Sequence, residues 1–363
     1  MSNFLDVFED VTKKGTKIPT EKYLKSGKYP IIDQGQSYIS GYCNDETGLF
    51  DDIPVIIFGD HTRIIKYVDQ PCFLGADGVK LLKSKDRQAN YKYLYYALCS
   101  AKIPDTGYNR HFKWLKELEI PLPPLEIQKQ IADTLDKVTH TIDTCNAILK
   151  KLDLLVKSRF VEMFGTLETP VSGFEYDTLK NLCRKITDGK HGGCSFEEGT
   201  SFYFVGAREI YDDSVHYDTA PEITAEDFYK DYKRCNIEKG DFLIVNTGAT
   251  IGKSAIATDD RTEHTLLQKS VALMKAKKEK LLPIFLMYCY KVNDRVYRVE
   301  SASAQPNLLL SKINATKIYV PPLTLQQQFA TFVEQTDKTK QQVKMVLEKA
   351  ETLKKALMQE YFG

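Results

Sequence analysis

The sequence predicts a mixed α/β protein in which two globular α/β domains are separated by two long antiparallel helices. At 363 residues the chain exceeds one ordinary domain of about 100 to 200 residues. Two segments of 46 residues also repeat at an offset of 198, and the regions preceding them carry similar features in the same order. We therefore divide the chain into a first domain (1–119), a central spacer helix (120–165), a second domain (166–317) and a C-terminal spacer helix (318–363), related by a pseudo-two-fold internal repeat.

The two copies of the repeat align without a gap. Residues 120–165 begin IPLPPLEIQKQIA, residues 318–363 begin IYVPPLTLQQQFA, both end in FG, and 15 of the 46 paired positions are identical. Proline cannot continue a helix from upstream, so each helix is expected to start directly after its Pro-Pro pair. Since no glycine or further proline interrupts either copy before its FG, each predicts about 35 helical residues, a rod of about 50 Å.

Apolar residues recur every seven positions in the first copy, the pattern of a coiled coil. The second copy is less regular, because Lys340 and Lys354 occupy two of its seam positions. We expect the copies to pack antiparallel as a coiled-coil spacer, the alternative being two independent surface helices. The residues expected to build this spacer or dock a partner on it are Pro123, Pro124, Gln128, Leu135, Ile142, Leu149 and Val156 in the first copy and Pro321, Pro322, Gln326, Val333 and Leu347 in the second.

The two globular segments share an order of features that predicts mixed α/β domains. Each has an apolar strand, PVIIF (54–58) or DFLIV (241–245), followed by a polar turn, GDHTR or NTGATIGKS. A further strand pattern comes next, FLGADGVKLLK or LLQKSVALMK, and then a short apolar helix, YKYLYYAL (91–98) or PIFLMYCYKV (283–292). A polar loop, TGYNRHFKWL or SASAQPNLLL, precedes each copy of the long helix. The order of strands in the sheets does not follow from these patterns.

Composition and charge exclude several classes of protein. A hydrophobic fraction of 42% and a charged fraction of 27% are typical of folded globular chains. No apolar run approaches the roughly 20 residues that cross a bilayer, and the acidic N-terminal segment does not resemble a secretion signal, so we expect a cytoplasmic location. The eight cysteines form no C-x-x-C pair and no histidines lie at zinc spacing, which predicts reduced thiols and no metal site.

Polar turns supply the candidates for nucleic-acid contact. The net charge of +1 means that any such contact must depend on local groups. Arginine pairs well with guanine, and asparagine or glutamine with adenine, although each residue taken alone could equally be a solvated surface group. The candidates are Gln34, Gln36, Asp60, His61, Thr62, Arg63, Asn109, Arg110 and His111 in the first domain and Lys190, His191, Arg208, Asn246, Thr247, Thr250, Lys253, Gln268, Lys269, Gln305 and Asn307 in the second.

Strand-turn modules that lead twice into a PPL-x-x-Q helix resemble the specificity subunits of type I restriction-modification systems. The resemblance covers the whole chain, and YPIIDQGQSYISGY (29–42), FGDHTR, GADGVKLL and TGYNRHFKWL are similar to the first domain of such subunits. It implies two target-recognition domains, each reading one half of a split, asymmetric double-stranded DNA sequence. Half-sites roughly one DNA turn apart would lie within reach of the helical spacer.

The same resemblance implies partners and cofactors. The helices would dock two DNA adenine methyltransferase subunits, which bring S-adenosylmethionine. Restriction subunits, where present, would use ATP and Mg²⁺ to translocate and cleave. The chain itself would bind no cofactor.

The sequence carries no pattern of an enzyme that cuts or methylates DNA. The Pro-Pro pairs lie in LPPL and VPPL and not in the N/D-P-P-F/Y/W loop of adenine methyltransferases. GATIGKS (248–254) is one residue short of a phosphate-binding loop and leads into a strand-like segment, so we interpret it as a tight turn that brings Lys253 near a DNA phosphate. Asp60 and His61 lack a neighbouring nucleophile. We therefore expect a non-catalytic subunit, the alternative being a coiled-coil scaffold without nucleic-acid function.

Overall fold

The computed structural model describes residues 1–75, 77–107, 109–293 and 308–363, and these form two compact units. Unit 1 comprises Met1–Asn146 and Lys344–Gly363, and unit 2 comprises Ala147–Val343. Unit 1 therefore holds the start of the first long helix with the end of the second, and unit 2 holds the opposite ends. This pairing of ends is that of antiparallel helices, as predicted.

Unit 1 is built on a four-stranded antiparallel sheet with the order β2-β8-β5-β6. A three-stranded sheet β4-β3-β7, in which β3 and β7 are parallel, and the pair β1-β9 complete it. Its strands are β1 (Ser2–Asn3), β2 (Phe8–Asp10), β3 (Tyr29–Ile32), β4 (Gly41–Cys43), β5 (Val55–Gly59), β6 (Ile65–Val68), β7 (Phe73–Leu74), β8 (Val79–Ser84) and β9 (Glu119–Ile120). Its helices are α1 (Phe4–Val7), α2 (Tyr91–Cys99), α3 (Phe112–Leu115) and the first part of α4 (Leu125–Phe164).

Strand β5 is buried on both faces because successive side chains point to opposite sides of the sheet. Ile56 and Phe58 pack with α1, α2 and α3 in one cluster, whereas Val55 and Ile57 pack against the three-stranded sheet in another. The short apolar helix predicted at 91–98 is α2, and its burial against this sheet explains its apolar composition. A fully buried central strand gives the turn that follows it a rigid base.

Unit 2 repeats this strand order with different lengths and insertions. Its four-stranded antiparallel sheet has the order β11-β18-β15-β16, β12 pairs in parallel with β17, and β10-β19 and β13-β14 are antiparallel pairs. The strands are β10 (Glu175–Thr178), β11 (Cys183–Asp188), β12 (Tyr203–Val205), β13 (Ile210–Tyr211), β14 (Ser214–Val215), β15 (Phe242–Val245), β16 (Ser254–Ile256), β17 (Thr265–Leu267), β18 (Val271–Ala276) and β19 (Lys317–Val320). The helices are the end of α4, α5 (Leu179–Leu182), α6 (Ala225–Cys235), α7 (Pro283–Val292), α8 (Leu310–Ala315) and the first part of α9 (Leu323–Phe362).

The central strand of unit 2, β15, corresponds to β5 and is also buried on both faces. Phe242 and Ile244 pack in a cluster with α7, while Leu243 and Val245 belong to the cluster on the other face. The predicted order is therefore confirmed for the strands and the short apolar helix, while most of the polar loop SASAQPNLLL lies outside the described residues. Helix α6, whose N-cap Thr224 accepts a hydrogen bond from Asp227 N, lies in an insertion between β14 and β15 that unit 1 does not share.

The two long helices occupy equivalent segments of the repeat. Each has 40 residues, and each starts immediately after a Pro-Pro pair, at Leu125 and Leu323. Gly165 ends α4 with φ of +75°, and a Cβ there would lie 2.3 Å from the carbonyl oxygen of Thr169, so only glycine fits. The helices are thus five residues longer than about 35, since α4 continues to Phe164 and α9 to Phe362.

The predicted seam of the helices is buried at some positions and half-buried at Ile142, Leu149, Leu347 and Lys354. Leu135 and Val156 are fully buried on α4, and Val333 is buried on α9. In unit 2, the Lys340 side chain is only 14% exposed and its ammonium lies 2.7 Å from an Asp153 carboxylate oxygen. An ion pair therefore accommodates the charge of Lys340, one of the two lysines that made the second copy irregular. None of the helices among the described residues is long and apolar enough to cross a bilayer.

Candidate nucleic-acid interface

Three loops converge at the end of the central strand of unit 1, and we call them loop set 1: residues 33–37, 60–64 and 103–111, of which Tyr108 is not described. Gln34 joins the first two loops, because its Oε1 accepts from His61 N at 3.1 Å and its carbonyl accepts from Thr62 Oγ1 at 2.7 Å. His61 Nδ1 lies 3.2 Å from the Asn109 carbonyl of the third loop. The structure therefore brings the first-domain candidates together.

Arg63 is held within loop set 1. Its guanidinium lies 2.6 Å from an Asp105 carboxylate oxygen, and its backbone has φ of +61° in the left-handed region. The backbone N–H of Arg63 donates to the Gly59 carbonyl at 2.8 Å, which closes the turn. The Arg63 side chain is 33% exposed and already paired with Asp105. Replacing Arg63 would therefore change the shape of the turn as well as its charge.

Two of the candidates, Asp60 and His111, are buried, and their hydrogen bonds stabilise the turn that follows the central strand. Asp60 is 5% exposed and His111 is 0% exposed. The Phe112 N–H donates to Asp60 Oδ1 at 2.7 Å, while the His111 N–H and ring Nδ1 lie 2.8 and 3.0 Å from the Asp60 carbonyl. Both residues lie next to polar turns, as the sequence indicates. Hydrogen bonds between residues about 50 positions apart in the sequence hold both side chains in the interior. As placed, neither side chain offers a free surface to a ligand.

Lys66 also positions loop set 1, although the sequence reasoning missed it. Its side chain is 5% exposed, and its ammonium donates to the carbonyls of Asp33 and Ser37 at 2.8 and 2.6 Å. Burial lowers the pKa of this ammonium, and the nearby Asp33 carboxylate opposes that effect. The signal was a lysine at an inward position of strand β6, where alternation otherwise places apolar residues. The loop that carries Gln34 and Gln36 is therefore tied to the sheet.

Unit 2 has an equivalent arrangement, loop set 2: residues 188–195, 206–209, 246–253 and 268–270. Asn246 follows the central strand as Asp60 does and is 4% exposed, and its backbone carbonyl accepts from Leu308 N at 2.7 Å. Its N–H donates to the Ser270 carbonyl at 2.9 Å, just as Asp60 N donates to Gly78 O at 2.6 Å. Gln305 and Asn307, expected in the next loop, lie outside the described residues.

Lys190 and Gln268 link the remaining loops of loop set 2. Lys190 N donates to the Leu267 carbonyl at 2.7 Å, and Lys269 N donates to the Lys190 carbonyl at 3.0 Å. Gln268 Oε1 accepts from Ser270 Oγ at 2.8 Å, and the same hydroxyl accepts from Ala207 N at 3.3 Å, next to Arg208. Lys190, Asn246, Gln268 and Lys269 thus lie in one connected network, in which Ser270 was not predicted.

The Lys190 side chain is bound to helix α6. Its ammonium lies 3.0 Å from Asp227 and 2.8 Å from Asp231, and its side chain is 11% exposed. The hydrogen bond with Asp231 raises the lysine pKa, and the backbone N–H of Ser195 lowers the pKa of Asp227 to about 2. Because Lys190 is paired in this way, it fixes the loop that carries His191. Arg234, also missed from sequence, lies beside His191, with its Nη2 3.2 Å from the ring Nε2.

The exposed candidates form the surface that a ligand would meet. The GATIGKS segment is a turn with positive φ at Gly248 and Gly252, and strand β16 follows Lys253 directly. A phosphate-binding loop of nucleotide enzymes requires a helix there, so the interpretation as a turn is confirmed. Within the described ranges, no group of three or more His, Cys, Asp or Glu side chains could hold a metal ion. The exposed residues are Gln36, Thr62, Asn109, Arg110, His191, Arg208, Lys253 and Lys269, while Gln34, His61, Arg63, Thr247, Thr250 and Gln268 are half-buried.

Two domains of one topology, each with its own polar loop set and each leading into a long helix, define a duplicated recognition subunit. The family model described as the type I restriction modification DNA specificity domain matches residues 2–154 and 172–351. The chain belongs to this family, and it is a non-catalytic DNA specificity subunit of a type I restriction-modification system. Membership sets aside the alternative of a scaffold without nucleic-acid function.

The named relatives agree with this assignment, and solved structures share the fold. The chain is 24% identical over 315 residues to the type I restriction enzyme MjaVIII specificity subunit of Methanocaldococcus jannaschii, covering 79% of this chain and 74% of that protein. It is 24% identical over 371 residues to the EcoBI specificity subunit of Escherichia coli, covering 90% and 76%. The S subunit structure from M. genitalium has a TM-score of 0.63 at 20% identity over 99% of this chain and 95% of that one. A chain from a structure described as the basis of complex assembly and conformational transition of the type I R-M system has a TM-score of 0.54 at 16% identity, covering 98% and 94%.

Proposed function

We propose that the chain reads a split, asymmetric double-stranded DNA target, one half-site through residues 1–119 and the other through residues 166–317. The observation that carries this proposal is one strand order repeated with two different loop sets. Equivalent turns follow the two central strands, but one presents Thr62 and the other Lys253. Since different side chains favour different base edges, the two half-sites should differ in sequence.

Within each loop set we assign DNA contact to the exposed members and positioning to the buried ones. Exposed Gln36 and Arg110 in unit 1, and Arg208 in unit 2, can reach base edges or phosphates. Buried Asp60 and Asn246 instead fix the turns that carry the contact residues. Replacing the exposed residues would therefore change DNA specificity most. Replacing the buried residues would lower affinity for every DNA sequence.

We further propose that residues 120–165 and 318–363 form a spacer that sets the distance between the half-sites and docks two DNA adenine methyltransferase subunits. Buried seam residues and equivalent helix starts support a rigid spacer. The partners would carry the chemistry: S-adenosylmethionine on the methyltransferase subunits, and ATP with Mg²⁺ on restriction subunits where these are present. The curated relatives, named as specificity subunits of type I restriction enzymes, support a multisubunit assembly.

A titration of labelled DNA tests the proposal. The DNA carries the motif that becomes methylated in cells expressing this chain with its methyltransferase subunit. A chain of net charge +1 should bind this DNA weakly alone and much more tightly with that subunit. Scrambling either half-site should weaken binding by the assembled complex, and so should Arg110→Ala, while Arg87→Ala, which removes an exposed arginine outside loop set 1, should not. Equal binding to DNA with a scrambled half-site would contradict the proposal.

A further inference from the structure

Unit 1 contains a cavity of about 460 Å³ beside the start of the long helix α4. Asp6 and Val7 of α1, Leu94 of α2 and the Pro123-Pro124 turn lie around it. Two leucines at its rim, Leu122 and Leu125, are 41% and 42% exposed. The cavity lies outside loop set 1, and the function proposed above does not use it.

Gln128 has an unused hydrogen-bond acceptor in this cavity. Its side chain is 6% exposed, and its Nε2 donates to the Pro123 carbonyl at 2.8 Å. Its Oε1 is buried and has no hydrogen-bond partner in the part of the chain that the structure describes. A buried carbonyl oxygen without a partner is unfavourable, so a donor supplied by another chain would stabilise it.

The second copy of the repeat shows what the equivalent acceptor binds there. Gln326, 198 positions later, donates in the same way to Pro321 O at 2.8 Å. Its Oε1, however, accepts from the backbone N–H of Leu282 at 2.9 Å, and its Nε2 also donates to Lys280 O at 3.0 Å. An extended stretch of backbone therefore occupies in unit 2 the place that is empty in unit 1.

A single side chain explains much of the difference. Helix α7 has its N-cap at Leu282, and the preceding Leu281 is fully buried in the same cluster as Leu286 at the fourth helical position, an arrangement called a hydrophobic staple. Helix α2 has its N-cap at Asn90, and the residue before it is Ala89, which lines the cavity together with Leu94. The loss of a leucine-sized side chain leaves the space open.

The charge of the cavity favours a cationic protein segment over DNA. Its lining includes the carboxylates of Asp6 and Asp86 with the hydroxyls of Ser2 and Ser84, and of the described residues that line it none is Lys, Arg or His. Carboxylates repel phosphates and attract ammonium and guanidinium groups. An exposed apolar rim with an acidic, acceptor-rich interior matches an extended peptide that carries a large apolar residue next to a basic one.

We propose that this cavity docks such a segment of the methyltransferase subunit, whose apolar side chain takes the place that Leu281 fills in unit 2 and whose backbone N–H bonds to Gln128 Oε1. The inference rests on the proposed function, because it supposes that a methyltransferase subunit assembles with this chain. Since the equivalent place in unit 2 is already filled, the two halves of the chain present unequal docking sites.

Calorimetric titration of the full chain with its methyltransferase subunit tests the proposal through Ala89→Leu. This change restores the staple with Leu94, so the chain alone should unfold at a higher temperature, while its affinity for the subunit should fall at least ten-fold. Ala225→Leu, at an exposed position of unit 2, is the matched control and should leave the affinity unchanged. Asp6→Lys reverses the charge of an exposed side chain and should also weaken assembly several-fold, which keeps the test valid if Ala89→Leu fails to fold.

The outcomes separate this inference from the proposed function. Wild-type affinity in both Ala89→Leu and Asp6→Lys would overturn it, and the cavity would then hold water only. Normal DNA recognition by those assembled variants would leave the proposed function standing. Failure of the wild-type chain to bind the methyltransferase subunit would instead overturn the proposed function, and with it the partner assigned to this cavity.

Discussion

Replacing Asp60 by alanine should destabilise unit 1 and disturb the turn that loop set 1 presents. The Asp60 carboxylate accepts from the Phe112 N–H at 2.7 Å, and the residue is 5% exposed, so water cannot easily replace it. A hydrogen bond to a buried charged acceptor contributes about 1.5–3 kcal/mol, and we therefore expect Asp60→Ala to lower the free energy of unfolding of unit 1 by about 2 kcal/mol.

The assay uses the single tryptophan of the chain. Trp114 lies in α3, two residues after Phe112, so its fluorescence reports unfolding of unit 1. With a denaturant slope of about 2 kcal/mol/M in urea, the midpoint should fall by about 1 M. Asp60→Asn keeps an acceptor oxygen at this position and should lose at most half as much.

Asp51→Ala is the control, because Asp51 is an exposed aspartate of the same unit and its replacement should leave the midpoint unchanged. The Asp60→Ala chain, assembled with the methyltransferase subunit, should also bind DNA more weakly for every target sequence. Equal urea midpoints for Asp60→Ala and Asp51→Ala would refute the positioning role assigned to Asp60.

Three further predictions follow from the packing and charges of unit 2. The Phe160 ring is fully buried, and the ring centroids of three neighbouring phenylalanines lie 5.0 to 5.4 Å from its own. Phe160→Ala should therefore lower the free energy of unfolding by about 3–5 kcal/mol in urea titrations, whereas Val161→Ala, at an exposed position, should leave it unchanged. Lys253→Ala should reduce the slope of log affinity against log salt by about 0.9, and exposed Lys317→Ala should leave the slope unchanged, as a phosphate contact at Lys253 requires. In the folded protein the pKa of Asp227 is about 2, below its ordinary 3.8, so its carboxylate stabilises the fold above pH 3.8 and loses this effect as the pH falls toward 2. The difference in the free energy of unfolding between wild type and Asp227→Asn should therefore shrink over that pH range. A constant difference would argue against the shifted pKa.

Local sequence signals predicted the helices and central strands because those elements depend on near neighbours. A Pro-Pro pair starts α4 at Leu125, and the glycine of FG ends it at Phe164. The apolar stretch at 283–292 is helix α7, with proline at its first position as helix N-termini allow. The same signals also placed the candidate residues on turns at strand ends, where loop sets 1 and 2 lie.

The orientation of individual side chains could not be predicted, because it depends on partners far along the chain. Asp60 is turned inward by Phe112, 52 residues later, and Lys190 is held by Asp227 on a helix that only the second domain has. The glutamines Gln128 and Gln326 occupy equivalent positions of the repeat yet differ in their hydrogen-bond partners. Burial and pairing of this kind arise from tertiary contacts, which the pattern of one segment does not contain.

Long-read sequencing of DNA from cells that express this chain with its methyltransferase subunit tests the central claim most directly. Methylated adenines should appear in a split motif whose two half-sequences differ and are separated by a fixed number of unspecified base pairs. Cells with the methyltransferase subunit alone should lack this motif. A continuous or palindromic motif, or a motif that does not depend on this chain, would contradict two different recognition domains on one helical spacer.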